Sequence, residues 1–139
     1  MDAKEYLQQV RNADIEINDK MEELADLEVL ATKLGSLSDG DRVQASSSQD
    51  KMADIVCRIA DLKTEIQAEI SRLLELKKQV REVIEKVSEP VLISVLHKRY
   101  LQYKSWEQIA VEMNFTYRWC TKLHGKALIE VDGIIKSSY

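Results

Sequence analysis

The longest apolar repeat in the sequence runs from about Gln49 to Glu89 and predicts a single helix of that length. Apolar residues recur there at two positions of a seven-residue repeat, which is typical of helices that pack side by side. The first position holds Met52, Ile59, Ile66, Leu73, Val80 and Val87, and the second holds Ile55, Leu62, Leu76 and Val83, with Glu69 as the exception. Such a helix is about 60 Å long. Because an isolated rod of this kind is not stable, it must bury its stripe against another helix.

A first helix over residues 2 to about 34 is the nearest partner. Its apolar residues are spaced by three and four positions: Leu7, Val10, Ile17, Met21, Leu24, Leu27, Ala31 and Leu34. We expect residues 35–49, rich in Ser, Gly and Asp, to form a mobile loop that lets the two helices pack antiparallel. This organisation makes residues 1–89 a helical hairpin, or a pair of helices swapped between chains.

Apolar residues on one flank of the second helix, Val56, Ile70 and Ile84, widen its stripe. A wider stripe needs more than one partner helix, which docking of a C-terminal domain or oligomerisation could supply. We expect a homodimer, or a higher homo-oligomer, held together by residues 1–89.

Pro90 marks the start of a smaller C-terminal region, residues 90–139. Proline disfavours helix at the residue before it and is favoured in the first turn of a new helix. The helix that it opens has its apolar side at Val91, Leu92, Val95, Leu96 and Tyr100. The scarcity of Pro and Gly (one and four residues) and a charged fraction of 32% likewise favour an all-α protein.

Two further helices with a tight turn between them are indicated after Lys104. Ser105 is a good N-cap for the first, and Asn114 tolerates the left-handed conformation that ends such a helix. Thr116 caps the second, which we expect over about residues 116–131 with its apolar face at Cys120, Leu123, Ala127 and Leu128. A short helix, a tight turn and a helix with an exposed polar start form the helix-turn-helix pattern of DNA-binding proteins.

From about Pro90 to Val131 the chain resembles region 4 of the sigma-70-type transcription factors. The matching residues are Arg99, Tyr100, Ser105, Glu107, Ile109, Ala110, Met113, Phe115, Thr116, Cys120, Leu123, Lys126, Ala127 and Leu128. The stretches Trp106 to Ala110 and His124 to Leu128 are similar to the small region-4-like regulators of Gram-positive phages and prophages, such as the ArpU/RinA-like late-gene regulators. The resemblance covers about a third of the chain. It implies a DNA-binding transcriptional regulator that could also contact RNA polymerase.

The resemblance also implies which residues meet double-stranded DNA. Side chains at the start of a helix in the major groove reach base edges, and we expect this role for Tyr117, Arg118, Thr121 and Lys122. Candidates for contacts to the DNA backbone are Arg99, Lys104, Ser105, Thr116 and Lys126. The family usually has arginine, glutamate and glutamine at the base-reading places, so an ordinary sigma-70 promoter element is not the expected target.

Charge supports this assignment of DNA contacts to the C-terminal region. Residues 1–89 hold 13 Lys and Arg against 20 Asp and Glu, a net charge of −7, whereas residues 90–139 hold 7 against 4, a net charge of +3. Phosphates therefore favour the C-terminal region alone.

Nothing in the sequence predicts an enzyme, a metal site or a cofactor. The histidines, His97 and His124, do not belong to a catalytic pattern, and we expect His124 at the surface. Cys57 and Cys120 are expected as buried reduced thiols, and Trp106 and Trp119 as packed side chains. No apolar run is long enough for a membrane span or a signal peptide, so we expect a cytoplasmic protein.

Two other functions remain open. One is a phage DNA-packaging recognition subunit, which also combines a helix-turn-helix with oligomerising helices, although its DNA-binding domain usually comes first. The other is a protein-interaction module whose C-terminal region binds polymerase or another protein.

Overall fold

The computed structural model describes residues 1–37 and 45–138, and this part of the chain is helical without any strand. The all-α class is therefore confirmed. The helices are α1 (Ala3–Leu37), α2 (Ala45–Glu85), α3 (Pro90–Leu96), α4 (Trp106–Met113) and α5 (Tyr117–Ser137), and a π-helical turn (His97–Leu101) continues α3.

The connection between the two long helices is shorter than the sequence predicted. α1 continues past Gly35 to Leu37, and α2 starts at Ala45, so both ends of the predicted 35–49 loop are helical. Glycine and serine cost a helix only about 1 kcal/mol or less per residue, which neighbouring helical turns can offset. Residues 38–44 of the predicted loop lie outside the described residues.

The second helix ends earlier than the repeat predicts, at Glu85 rather than near Glu89. The amides of Lys86 and Val87 donate to the carbonyls of Val83 and Ile84 at 3.1 Å, which is the tighter winding of a final turn. The side chain of Val87 is still buried, so the apolar repeat continues beyond the last residue of the helix. Pro90 then opens α3 as predicted.

One compact unit, Ile15–Arg72, contains the C-terminal part of α1 and the N-terminal part of α2. Ile17, Leu62 and Ile66 are buried in it, as the two stripes predict. Met21, expected in the stripe of α1, is instead 50% exposed. Lys20 forms ion pairs with Glu65 and Glu69, and Glu23 pairs with Arg58. The side chains of α1 and α2 are therefore in direct contact within this unit.

Cys57 was wrongly predicted to be buried, since its side chain is exposed. It lies between the two apolar repeat positions at Ile55 and Ile59, and a helix turns it away from both. Cys120 is fully buried, as predicted, and burial raises the pKa of its thiol.

The other compact unit consists of Met1–Asp14 and Leu73–Tyr139. Its core combines the N-terminal part of α1 and the C-terminal part of α2 with the shorter helices. The buried residues include Leu7, Val10, Val80, Ile84, Leu92, Val95, Leu96, Ile109, Cys120, Ala127 and Val131. Both α3 and α4 pack on α5. The amide of Ala3 donates to Asp132 Oδ1 at 2.7 Å, and Ser88 Oγ donates to Glu130 Oε1 at 2.6 Å. The division into domains 1–89 and 90–139 stays a prediction, and this compact unit contains residues from both sides of it.

Candidate nucleic-acid interface

The turn between α4 and α5 is built by local signals that the sequence carries. Ser105 Oγ accepts the amide of Gln108 at 3.2 Å and caps α4. Ile109 and Ala110 bury one face of this short helix. Asn114 ends it in the left-handed conformation, with φ 58° and ψ 43°, as predicted. The chain therefore reverses direction within a few residues.

The start of α5 is fixed by Thr116, whose hydroxyl oxygen accepts the amide of Trp119 at 3.1 Å. Cys120, Leu123, Ala127 and Val131 bury the inner face of this helix. α5 extends to Ser137, beyond the predicted end near residue 131. Gly133 does not stop it, since a glycine only weakens a helix interior. The outer face of its first turns remains exposed.

The four candidate base-reading residues lie on these first turns. Tyr117, Arg118 and Lys122 are exposed, and among the described residues none of them has an ion pair or a side-chain hydrogen bond. Thr121 is half-buried, and its hydroxyl donates to the carbonyl of Arg118 at 2.9 Å. The helix thus presents a phenol, a guanidinium and an ammonium group to solvent at its start.

The candidates for DNA-backbone contacts differ in how many hydrogen bonds and ion pairs they already form within the protein. Arg99 donates to the carbonyl of Lys104 at 3.0 Å and lies over the ring of Trp106, 4.8 Å from its centroid. Lys104 Nζ is 2.5 Å from Glu112 Oε1, and this hydrogen bond lowers the pKa of Glu112. Arg99 and Lys104 therefore stabilise the turn before α4.

Ser105 and Thr116 are exposed, but their side-chain oxygens are used as helix caps. Lys126 is also largely exposed, and its charged group points away from the core. Its Nζ is 3.2 Å from Glu89 Oε1 in a surface ion pair, and its side chain is 60% exposed. Such a pair is weak enough for a phosphate to compete with the carboxylate.

Besides Tyr117, two further aromatic side chains near the turn are exposed, which the sequence did not indicate. Phe115 is 37% and Trp119 is 48% exposed, although Trp119 was expected to be packed. With Val91 and Leu123 they line a cleft of about 380 Å³, and Glu89, Lys122 and Lys126 complete it. Trp119 precedes the buried Cys120 by one residue, so the helix turns its indole to the margin of the core.

His124 was wrongly expected at the surface. Its Nε2 shares a hydrogen bond with the hydroxyl of Tyr100, and its ring lies 4.6 Å from that of Trp106. Burial, helped by the charges of Arg99 and Lys4, lowers the pKa of His124 to about 4. Burial also raises the pKa of Tyr100 to about 12. This neutral cluster joins α5 to α4 and to the π-helical turn, which the sequence did not predict.

The described residues 1–37 and 45–138 contain no group of three or more His, Cys, Asp or Glu side chains placed to hold a metal ion. Within those same residues, every helix is too short or too polar to cross a membrane. Comparison with protein-family models, with curated proteins and with solved structures found no match to this chain.

Proposed function

We propose that this protein is a sequence-specific DNA-binding transcriptional regulator of phage or prophage genes, with α4 and α5 as its helix-turn-helix. The observation that carries the proposal is the capped start of α5, where Tyr117, Arg118 and Lys122 are exposed. A helix start of this kind can enter the major groove, with side chains toward base edges and backbone amides toward phosphates.

Each exposed group has a chemical role in this proposal. Arg118 has the planar fork that pairs with O6 and N7 of a guanine, and Lys122 can reach the same atoms or a phosphate. Tyr117 and Thr121 add contacts beside them. Ser105, Thr116, Arg99 and Lys104 hold the turn in place through the internal contacts described above, and Lys126 exchanges Glu89 for a phosphate.

The proposal assigns oligomerisation to α1 and α2, paired as an antiparallel coiled-coil-like hairpin. Its support is the order of the ion pairs, since Lys20 pairs with Glu69 whereas Glu23, further along α1, pairs with the earlier residue Arg58. A homodimer would place two copies of α5 on half-sites one helical turn apart, about 34–36 Å in B-form DNA.

The test is in vitro selection of bound duplexes from a random pool at about 150 mM salt, which suppresses loose phosphate binding. We expect a defined motif, and a two-fold repeat if the protein binds as a dimer. Arg118→Ala should then weaken binding to that motif by about 1–3 kcal/mol. Lys136→Ala, which removes a cation in the last turn of α5, is the control and should leave the motif unchanged. Weak, salt-sensitive binding without enrichment would contradict the proposal.

The exposed cleft at Phe115 and Trp119 favours a second candidate function, a protein-interaction module that binds RNA polymerase or another protein. An apolar cleft in a monomer of this size is a feature of interaction sites. On this alternative, Trp119→Ser abolishes capture of the protein partner, whereas Arg118→Ala does not. The packaging-subunit alternative gains no observation of its own from the described residues.

A further inference from the structure

Two glycines lie within α5, and they differ in their position along it. Gly125 is in the middle of the helix, whereas Gly133 is close to its end at Ser137, where helices fray. In a helix interior, glycine is the least favourable residue after proline, because its backbone loses the most freedom on folding. Gly125 therefore lowers the stability of α5 at a position where alanine would be better.

The fold itself gives no reason for a glycine at residue 125. Gly125 is exposed, and its φ is not positive, so its backbone conformation suits any residue. Apart from its chain neighbours and the backbone of its own helix, no described atom lies within 4 Å of the place that a Cβ would take. The structural reason that remains is the close approach of a partner to the helix backbone.

Gly125 lies on the outer face of α5, in line with two candidate base-reading residues. Arg118 and Lys122 precede it by seven and three residues, and Ile129 follows it by four, so the four positions share one face of the helix. All three neighbours in this row are exposed, Ile129 at 73%. The missing side chain leaves a gap in the row between Lys122 and Ile129.

The charge around this gap matches a polyanion. The segment from Tyr117 to Ile129 contains Arg118, Lys122 and Lys126 but no Asp or Glu. Lys122 has no ion pair among the described residues, and Lys126 has a surface pair of the weak kind. The phosphates of DNA are therefore the partner whose charge fits the surroundings of Gly125.

The dimensions of DNA show what a glycine contributes here. The major groove of B-form DNA is about 12 Å wide, and an α-helix with its side chains is about 10–12 Å across. A recognition helix therefore fits with little room, and a side chain that faces the groove wall holds the DNA away. Since Cα atoms lie only about 2.3 Å from the helix axis, DNA can reach the helix backbone itself at a glycine.

We propose that Gly125 is the point where the sugar–phosphate backbone of DNA packs directly on the backbone of α5, beside the ammonium groups of Lys122 and Lys126. This deepens the proposed DNA-binding function, on which it rests, by adding a positioning residue to the site. The close approach at Gly125 sets how deeply α5 enters the groove. It thereby sets the reach of Arg118, about 10 Å earlier along the helix, to a base edge.

The test compares alanine and leucine at Gly125 with the same substitutions at Gly133, on the duplex obtained by in vitro selection. Alanine and leucine are strong helix formers, so Gly125→Ala should raise the urea midpoint of unfolding. We expect Gly125→Ala to weaken DNA binding severalfold and Gly125→Leu by about tenfold or more, because the overlap with DNA grows with side-chain size. Fluorescence anisotropy measures the affinities, and circular dichroism checks the helicity of each variant.

Gly133 supplies the matched control. It is exposed in the same helix, its surroundings are equally open, and it lies about 12 Å further from the start of α5 than Gly125. Gly133→Ala and Gly133→Leu should therefore bind the duplex as the native protein does. Losses of equal size at both glycines would overturn the proposal.

The remaining outcomes separate this contact from the proposed function. If the native protein binds the selected duplex and Gly125→Leu binds it equally well, the contact is wrong and the DNA-binding function stands. Equal losses in Gly125→Ala and Gly125→Leu would also overturn the contact, because they would mean that a flexible backbone is required and not space for DNA. If the native protein selects no duplex, both the function and the contact are wrong, and this result precedes any substitution.

Discussion

Asn114 adopts a backbone conformation that most residues avoid, with φ 58°, and it does so at the turn between α4 and α5. A residue with a Cβ pays about 1–2 kcal/mol for the left-handed region, whereas glycine pays nothing and asparagine little. We therefore predict that Asn114→Ala lowers the free energy of unfolding by about 1 kcal/mol in urea denaturation. Asn114→Gly is the control and should stay within a few tenths of a kcal/mol of the native value, because glycine adopts the left-handed conformation without strain. Equal losses in both variants would mean that the amide side chain, not the backbone, is required.

His124 makes stability depend on pH. Its pKa is about 4 in the folded protein against an ordinary value of 6.5, because burial beside Tyr100 and Trp106 disfavours the charged ring. Between these two values the unfolded chain binds more protons than the folded one, so this contribution to stability is complete above about pH 6.5 and falls as the pH drops toward 4.

We predict that His124→Gln flattens this dependence. Its amide can still accept the hydroxyl of Tyr100, but it does not titrate. The loss of unfolding free energy between pH 6.5 and 4 should be smaller in the variant by roughly 2 kcal/mol. Urea denaturation at several pH values measures it. Parallel curves for the two proteins would mean that another group causes the acid sensitivity.

At the scale of the helices, one polar pair interrupts the apolar seam of α1 and α2. Glu69 is the polar exception in the repeat of α2, and Lys20 holds the corresponding place in α1. The side chains are 20% and 31% exposed, and Oε2 of Glu69 is buried without a hydrogen-bond partner among the described residues. A polar pair inside a seam favours one register at a cost in stability.

Replacing Lys20 and Glu69 by leucine, singly and together, should therefore show how much the pair costs in stability. We predict that Lys20→Leu destabilises the chain by about 1–2 kcal/mol, because Glu69 loses its counter-ion. Glu69→Leu should cost less, since Lys20 retains Glu65 at 3.6 Å. The double variant should exceed native stability by about 1 kcal/mol in urea denaturation. A double variant less stable than the native protein would show that the pair is itself stabilising.

How well sequence predicted these elements depends on whether the controlling interactions were local. Ser105, Asn114, Thr116 and Pro90 act on their immediate neighbours, and the structure places each of them as predicted. The predicted ends of the 35–49 loop were wrong, because small polar residues oppose a helix only weakly. The candidate site at α5 was inferred from these local signals and from the resemblance, and both the site and its chemistry stay predictions. The neutral state of His124 depends on contacts with Tyr100 and Trp106, which are distant in sequence, so its own neighbourhood could not reveal it.

At the scale of the whole molecule, the proposed binding to DNA would depend on a few cations, because the chain has a net charge of −4. Several cations of the C-terminal region are already paired, with Lys98 and Lys104 near Glu112 and Lys126 near Glu89. The proposed function therefore makes Glu89 a competitor of DNA phosphate for Lys126.

A double-mutant cycle on this surface pair tests that competition. Glu89→Gln should tighten DNA binding by about 0.2–1 kcal/mol, the value of an exposed ion pair, because Lys126 no longer has to leave a carboxylate. Lys126→Ala should weaken binding and reduce the salt slope by about 0.9 for each subunit on the DNA, and hence by about twice that for a dimer. Fluorescence anisotropy over a salt series measures both. If Lys126 is the route of the effect, Glu89→Gln gives no gain in the Lys126→Ala background. If Glu89→Gln instead tightens DNA binding equally in the native protein and in Lys126→Ala, the effect comes from the overall negative charge of the protein and not from Lys126.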